Sequence, residues 1–584
     1  MKRVLLIVLV AAIAAAPAVA PPFAVTLMNF IGLSAIVALG LVLMTGFGGL
    51  TSFGQAAFVG VGAYAAAWTT TSAGMSPWLG LLLALTATAL LAAFLGAITL
   101  RLGGHFLPLS TIAWGLAIYF LFAEIPGLGQ HDGIKDIPPI TLFGLSFASN
   151  DRIYYIIWLL LGLAMALVAN LLDSRKGRAI RSLRGGAVLL ASLGINQMRI
   201  RLYIFIIAAM LAGISGWLYA HMTRFVSPSP FEIRPSIEYL LMALVGGARS
   251  IYGAVVGAAL VILAKNSIED LLPYLTNNAG QLQTVVFSVF LVLILQHARG
   301  GLTSFVVRLL PPRRPKPVAA AEGLPRRDLP PRGQPLLSLA AVNKSFGGLA
   351  AVKSISFEMS TGEILGLIGP NGAGKSTTFN LLTGAMRCDS GEIRFLGEDI
   401  TRLPQTQIAR RGIGRTFQHI RLRPHMTALD NVQLGTHSRT RAGFLACALR
   451  LGRAEAARAT REAMDQLARV GLADRMFEKA GNLSLGSQRV LEIARALAMD
   501  PVLLVLDEPA AGLRHQEKEA LAELLRSLRA QGTSILLVEH DVDFVMKLVD
   551  RLVVMDFGAM LMQGLPEEVR HSPAVQEAYL GSVT

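Results

Sequence analysis

The chain has 584 residues, a hydrophobic fraction of 53% and a formal net charge of +15. This length exceeds one ordinary hydrophobic core, so we expect at least two domains, one of them in a membrane. The charge does not indicate nucleic-acid binding, because much of the basic excess lies in one short segment, 173–201, and not along a folded face.

The first 300 residues contain nine apolar stretches, of which the last is short. They are 4–20, 24–45, 52–72, 78–100, 105–123, 153–172, 202–221, 237–264 and 283–297. No acidic or basic side chain and no histidine occurs from Val4 to Leu100. We therefore predict a polytopic α-helical membrane domain over residues 1–305 with about 8–10 spans.

Charge predicts the orientation of these spans. The first stretch follows Lys2 and Arg3, and it is either a cleaved signal peptide or, as we prefer, an uncleaved first span. If that span starts on the cytoplasmic side (inside), loop 124–152 lies outside and the basic segment 173–201 lies inside. This agrees with the rule that loops rich in lysine and arginine stay on the cytoplasmic side. The part of the chain that follows the membrane domain must also lie inside, so the number of crossings is even. One of the nine stretches is therefore not a plain span. We expect 237–264 to be broken or re-entrant, although its glycines are equally consistent with close helix packing.

Residues 306–335 are predicted to be a linker, because eight prolines fall between Pro311 and Pro335 among several arginines. After it, short β-like runs such as Ile364–Ile368 alternate with helical patterns. We predict an α/β domain over residues 336–584.

A phosphate-binding loop follows the first of these β-like runs and opens a helix. Its residues are Gly369, Pro370, Asn371, Gly372, Ala373, Gly374, Lys375, Ser376 and Thr377. The glycines let backbone N–H groups approach phosphates, Lys375 supplies positive charge, and the Ser376 hydroxyl is suited to bind Mg²⁺. The pattern predicts that this α/β domain is a P-loop NTPase with ATP and Mg²⁺ as ligands.

Two adjacent carboxylates end the apolar strand Leu503–Asp507. A strand end in such a domain is where a metal ligand and a base that orients water are required. We assign the metal side to Asp507 and the general base to Glu508.

Between these motifs, Leu483-Ser484-Leu-Gly486-Ser-Gln488-Arg489 resembles the signature of the ATP-binding-cassette family, LSxGxxR. The resemblance implies that Gln418 senses the metal and the permease and that His540 contacts the γ-phosphate. It implies that Phe346 stacks on adenine. It also implies that Ser484, Gly486 and Gln488 contact ATP held by a second cassette, so one chain does not form a closed site.

The membrane half resembles the permeases of branched-chain amino-acid importers at Gly49–Tyr64, Ser174–Arg181 and Gly246–Gly257. The chain departs from that family in three places. Segment 184–195 lacks the usual acidic cluster, Arg514-His515 replaces Asn-Pro, and Gly129–Gly133 lacks the commoner Thr-Gly-Gly.

This resemblance implies half of a binding-protein-dependent importer of branched-chain amino acids in the cell inner membrane, with its ATPase domain in the cytoplasm. The implied partners are a second permease and a second ATPase on different chains, an extracytoplasmic binding protein, a small-molecule substrate and membrane lipid. Alternatives are the same architecture for urea, short amides or aromatic acids, and a membrane-anchored regulatory ATPase that transports nothing. An exporter is a further alternative that the pattern of spans does not favour.

Overall fold

The computed structural model describes residues 2–102, 106–274, 279–297, 300–303 and 321–580. These residues form two compact units. The helical unit contains the described residues within 1–173 and 198–313, and the α/β unit contains those within 174–197 and 314–584. The predicted domain boundary between residues 305 and 306 lies outside the described residues.

The helical unit follows the apolar stretches, and proline begins two of its helices, α2 and α4, where its missing N–H costs nothing. Its helices are α1 Lys2–Val19, α2 Pro22–Leu41, α3 Gln55–Thr71, α4 Pro77–Thr99, α5 Phe106–Glu124, α6 Asn150–Leu172, α9 Gln197–Thr223, α10 Ile233–Gly247, α11 Ile251–Leu271 and α12 Ala279–His297. A π-helical turn, Val42–Phe47, extends α2, and a hairpin of β1 (Thr141–Leu142) and β2 (Leu145–Ser146) lies between α5 and α6.

Six helices of the described residues are long and apolar enough to cross a membrane. They are Pro22–Phe47, Pro77–Thr99, Phe106–Glu124, Asn150–Leu172, Gln197–Thr223 and Ile251–Tyr274. Helices α3 and α10 are shorter, with 17 and 15 residues. At 1.5 Å per residue, α10 is about 22 Å long, less than the bilayer core of about 30 Å.

The apolar stretch 237–264 is two helices and not one. Helix α10 ends at Gly247, where φ is +120°, and α11 begins at Ile251. The two helices pack through glycine: a Cβ on Gly246 would lie 1.8 Å from the Gly253 carbonyl oxygen, and one on Gly257 would lie 1.8 Å from that of Met242. The element is therefore broken, as expected, and its glycines also serve close packing.

The α/β unit contains two sheets. The larger has the order β12-β11-β5-β10-β9-β8, in which only β12 is antiparallel, and the smaller is antiparallel with the order β4-β3-β6-β7. The strands are β3 Pro335–Phe346, β4 Leu349–Ser360, β5 Ile364–Ile368, β6 Ser390–Phe395, β7 Glu398–Asp399, β8 Ile413–Arg415, β9 Leu503–Asp507, β10 Ser534–Val538, β11 Arg551–Asp556 and β12 Ala559–Gly564.

Helices cover these sheets, and two short ones come from the segment between α6 and α9. The helices are α7 Arg175–Ser182, α8 Ala187–Ser192, α13 Lys375–Leu382, α14 Gln405–Arg411, α15 Ala428–Gly435, α16 Phe444–Ala448, α17 Arg453–Arg469, α18 Leu485–Leu497, α19 His515–Ala530, α20 Val542–Met546, α21 Pro566–Arg570 and α22 Pro573–Leu580.

The central strands β5, β9 and β10 are buried along their whole length. They are neighbours and parallel, so their carboxyl ends meet at one edge of the sheet. In open α/β sheets this edge is where ligands bind.

Candidate nucleotide site

The phosphate loop joins β5 to α13 at that edge. Gly369 and Gly374 have φ of +151° and +94°, which side chains disfavour. A Cβ on Gly369 would lie 2.1 Å from the Met555 carbonyl oxygen, and one on Gly374 would lie 2.4 Å from that of Ala351. Both positions therefore require glycine, which leaves the backbone of the loop open to an anion at the helix N-terminus.

Lys375 is buried at the start of α13, and its ammonium group donates to the carbonyl oxygens of Gly369 (2.7 Å) and Pro370 (2.9 Å). Burial lowers the pKa of Lys375, an effect that the nearby carboxylates of Glu508 and Asp507 oppose. The cation and both predicted carboxylates therefore belong to one electrostatic cluster.

Asp507 ends β9 and is 7% exposed. Burial raises the pKa of Asp507 to about 6, although Arg415 opposes the shift. Its Oδ1 is buried and has no hydrogen-bond partner among the described residues. A buried, unpartnered carboxylate oxygen is costly, and it fits a ligand for Mg²⁺, which prefers oxygen.

Glu508, Gln418 and His540 meet beside this strand end. The Gln418 amide Nε2 donates to Glu508 Oε2 over 3.1 Å, and His540 Nδ1 lies 3.7 Å from the same oxygen. Glu508 has φ of +47°, a left-handed conformation that costs energy in a non-glycine residue. The three residues predicted as catalytic are therefore adjacent, although they are far apart in the sequence.

Sequence reasoning missed Glu539, which is fully buried beside His540. Its Oε1 accepts from the Ala510 backbone N–H (2.7 Å) and its Oε2 accepts from that of His540 (3.0 Å). Burial raises the pKa of Glu539, and these hydrogen bonds oppose the shift. The carboxylate thus joins the turn after Glu508 to the turn that carries His540.

We expect Glu539→Gln to slow ATP hydrolysis about tenfold while leaving ATP binding intact, since an amide cannot accept from both N–H groups and one turn would shift. Steady-state hydrolysis by the purified complex measures this. Glu523→Gln, at an exposed position on α19, is the matched control. Equal rates in the two variants would contradict the role given to Glu539.

The signature residues lie at the start of α18. Ser484 caps this helix by accepting from the Ser487 N–H (3.3 Å), and Gln488 Nε2 donates to the Leu483 carbonyl oxygen (2.8 Å). A Cβ on Gly486 would lie 2.4 Å from a carboxylate oxygen of Glu517. Both hydrogen bonds stay within the signature segment, and Ser484 is exposed.

Phe346 ends β3 and is half-exposed, with the Lys344 ammonium 5.7 Å from its ring centre. Lys344 is held by Asp389 at 2.6 Å. An exposed ring of this kind presents a face on which a flat base can stack.

The segment 174–197 packs on the α/β unit, and we call it the docking segment. Arg175 donates to the carbonyl oxygens of His437 (2.6 Å) and Ala442 (3.1 Å), and Arg410 donates to that of Gly194 through Nε (3.2 Å) and Nη2 (3.0 Å). Leu189 and Leu190 of α8 are fully buried. These contacts use backbone carbonyls and apolar side chains, so they do not need the missing acidic cluster.

The last part of the predicted linker also packs on this unit. Leu324 is buried, and the Arg439 guanidinium donates to the carbonyl oxygens of Leu324 (3.2 Å) and Pro325 (2.8 Å). The Arg327 backbone N–H donates to Asp500 Oδ2, over 2.5 Å. This part of the linker is therefore bound along the α/β unit.

Three family models match the chain. Residues 23–295 match the branched-chain amino acid transport system permease component, residues 352–511 match the ABC transporter model, and residues 559–583 match the branched-chain amino acid ATP-binding cassette transporter model.

Curated relatives resemble one part of the chain. The high-affinity branched-chain amino acid transport ATP-binding protein LivG of Escherichia coli (strain K12) is 44% identical over 253 residues, which cover 42% of this chain and 98% of that protein. BraF of Pseudomonas aeruginosa, which carries the same description, is 42% identical with the same coverage. The lipopolysaccharide export system ATP-binding protein LptB of Acidithiobacillus ferridurans is 35% identical over 42% of this chain and 97% of that protein.

Among solved structures, a nucleotide-free ATP-binding cassette from an ABC transporter is 30% identical, with a TM-score of 0.39. It covers 43% of this chain and 100% of that chain.

Proposed function

Because the chain belongs to the ATP-binding-cassette transporters, with a permease of the branched-chain amino-acid type and an ATPase in one polypeptide, we propose that it imports branched-chain amino acids. The observation that carries this proposal is the permease match over residues 23–295. The match of the ATPase domain gives weaker support for this substrate, since a lipopolysaccharide export protein is also among the relatives of that domain.

We assign metal-binding and catalytic roles to the residues described above. Ser376, Gln418 and Asp507 hold Mg²⁺, and the unpartnered Oδ1 of Asp507 supports this assignment. Bound Mg²⁺ supplies positive charge that offsets the charge of the phosphate oxygens. Glu508 orients and deprotonates the attacking water, and Gln418 donates a hydrogen bond to its carboxylate. His540, whose Nδ1 lies 3.7 Å from the same carboxylate oxygen, contacts the γ-phosphate.

The phosphate loop, from Gly369 to Thr377, binds the phosphates of ATP, and Phe346 stacks on the adenine. Ser484, Gly486 and Gln488 contact ATP in a second cassette, and the exposure of Ser484 supports this role. The working assembly then contains a second ATPase and a second permease, supplied by different chains. We assign the permease domain to residues 1–305, the linker to residues 306–335 and the ATPase domain to residues 336–584.

The docking segment couples the two activities. Closure of two cassettes on ATP moves α14 and α15, and the docking segment transmits this movement to the membrane helices. Shifting such a two-state element from one state to the other takes about 5.5 kcal/mol of differential affinity. The hydrogen bonds from Arg410 to the Gly194 carbonyl oxygen connect α14 to the docking segment and transmit part of this movement.

We expect Arg410→Ala to reduce solute uptake per ATP hydrolysed by at least about tenfold, because the hydrogen bonds to Gly194 are lost and a bond to a charged group is worth about 1.5–3 kcal/mol. Basal ATP hydrolysis should be unchanged. Arg411→Ala is the matched control, since the one ion pair of Arg411 within the described part of the chain is with the exposed Glu398 and contributes little. Normal coupling in Arg410→Ala would contradict the proposed path.

The protein lies in the cell inner membrane with its ATPase in the cytoplasm, and an extracytoplasmic binding protein delivers solute to the side of loop 124–152. The basic docking segment supports this orientation. Urea, short amides and aromatic acids are the competing substrates. A competition panel decides: with binding protein present, unlabelled leucine, isoleucine and valine should block labelled leucine uptake, and urea, acetamide and benzoate should not.

A further inference from the structure

A cavity of about 220 Å³ opens in the helical unit between α2, α10 and α11. Ser34 lies on one wall, and Glu238 and Lys265 lie on the others. Leu27, Phe30 and Ile262 give the cavity an apolar side. Apolar walls with a few converging polar groups are the usual composition of a site for a small molecule.

The charges in this cavity are of both signs. The Lys265 ammonium nitrogen lies 3.3 Å from Oε1 and 3.4 Å from Oε2 of Glu238, whose side chain is 17% exposed. Arg234 Nε lies 3.6 Å from the same Oε1. Ionisable side chains on membrane helices are costly, and they mark solute pathways or pair with one another. Here Glu238 and Lys265 pair with one another.

The position along α10 indicates the side of entry. Ile134 of loop 124–152 pairs with Val226 through backbone hydrogen bonds of 2.8 and 3.0 Å. Helix α10 begins at Ile233, soon after Val226, and Glu238 lies five residues further, about 7.5 Å along the axis. The cavity is therefore near the side of loop 124–152, where the proposed binding protein delivers solute.

We propose that this cavity is an entry site that recognises the zwitterion of an α-amino acid. Lys265 binds the α-carboxylate of the solute, Glu238 binds its α-ammonium, and the side of Leu27, Phe30 and Ile262 receives an aliphatic side chain. A solute carrying both charges replaces the Glu238–Lys265 pair without leaving either residue unpaired. A solute without the carboxylate leaves Lys265 unpaired, and one without the ammonium leaves Glu238 only its longer contact of 3.6 Å with the exposed Arg234. This inference rests on the proposed function, and it names the part of the substrate that the site recognises, its α-ammonium and α-carboxylate groups.

Protection of an introduced thiol tests the site. The native cysteines, Cys388 and Cys447, are both in the α/β unit, so Ser34→Cys places a single thiol in the helical unit. In the full complex reconstituted in nanodiscs, millimolar leucine should slow maleimide labelling of Ser34→Cys at least fivefold. Leucinamide, which lacks the carboxylate, and 4-methyl-2-oxopentanoate, which lacks the ammonium, should not.

Ser110→Cys on α5, which does not line the cavity, controls for general effects of leucine. Equal protection by all three compounds, or by none, would overturn the proposal. In Ser34→Cys combined with Lys265→Gln, leucine and leucinamide should protect equally poorly. Retained discrimination in that variant would assign the Glu238–Lys265 pair to structure alone.

The two proposals fail differently. If the transporter carries another solute, labelled leucine is not taken up and leucine does not protect Ser34→Cys. If leucine is taken up with ATP but does not protect, the importer stands and only the entry site is overturned.

Discussion

Glu508→Gln should lower ATP hydrolysis at least about 100-fold, the range in which a lost general base acts, and should abolish solute uptake. ATP binding should persist, because the substitution leaves Lys375 and the phosphate loop unchanged. The geometry gives the reason: the Glu508 carboxylate is held by Gln418 at 3.1 Å and lies 3.7 Å from His540, at the same strand end as Asp507.

Phosphate release and equilibrium binding of a fluorescent ATP analogue measure the two effects of Glu508→Gln separately. The control is Glu519→Gln, at an exposed position on α19 where the carboxylate lies 3.2 Å from His515 Nε2. If Glu508→Gln hydrolyses ATP at the rate of this control, another group is the base.

Lys375→Ala should weaken ATP binding by about 10- to 100-fold, and uptake should be lost with it. A hydrogen bond to a charged group contributes about 1.5–3 kcal/mol, and 1.4 kcal/mol is a factor of ten in affinity. In this structure Lys375 is buried among the carbonyl oxygens of Gly369 and Pro370, so its charge is already positioned beside the loop.

Equilibrium binding by the full chain measures the loss in Lys375→Ala. Lys353→Ala, on an exposed position of β4, should bind ATP normally. Unchanged ATP affinity in Lys375→Ala would contradict the phosphate-loop assignment.

Each motif of the predicted nucleotide site follows or precedes a strand, and the sheet brings the ends of these strands to one edge. Gln418 and His540 were identified through the family resemblance and Glu508 through its position at the end of an apolar strand, and the structure places the three together. Glu539 was missed because its partners, the N–H groups of Ala510 and His540, are backbone groups without a side-chain signature. The one available signal was a carboxylate directly after a wholly apolar strand.

The contacts of the docking segment and of the linker with the α/β unit were not predicted from the sequence. The missing acidic cluster made the contact of 184–195 uncertain, yet the contact uses the Gly194 carbonyl and the buried Leu189 and Leu190. Similarly, proline content predicted an extended linker, but not that Arg439 would bind the carbonyl oxygen of Pro325. Backbone carbonyls are present at every residue, so the sequence does not indicate which of them long-range partners select.

Accumulation of labelled leucine in proteoliposomes that contain the assembled complex tests the central claim most directly, with binding protein on the outer face and ATP enclosed. The account predicts accumulation above the external concentration that requires both ATP and binding protein and that disappears in Lys375→Ala. Solute-stimulated ATP hydrolysis without leucine accumulation would contradict the substrate assignment, and accumulation that persists in Lys375→Ala would contradict the coupling of this ATPase to transport.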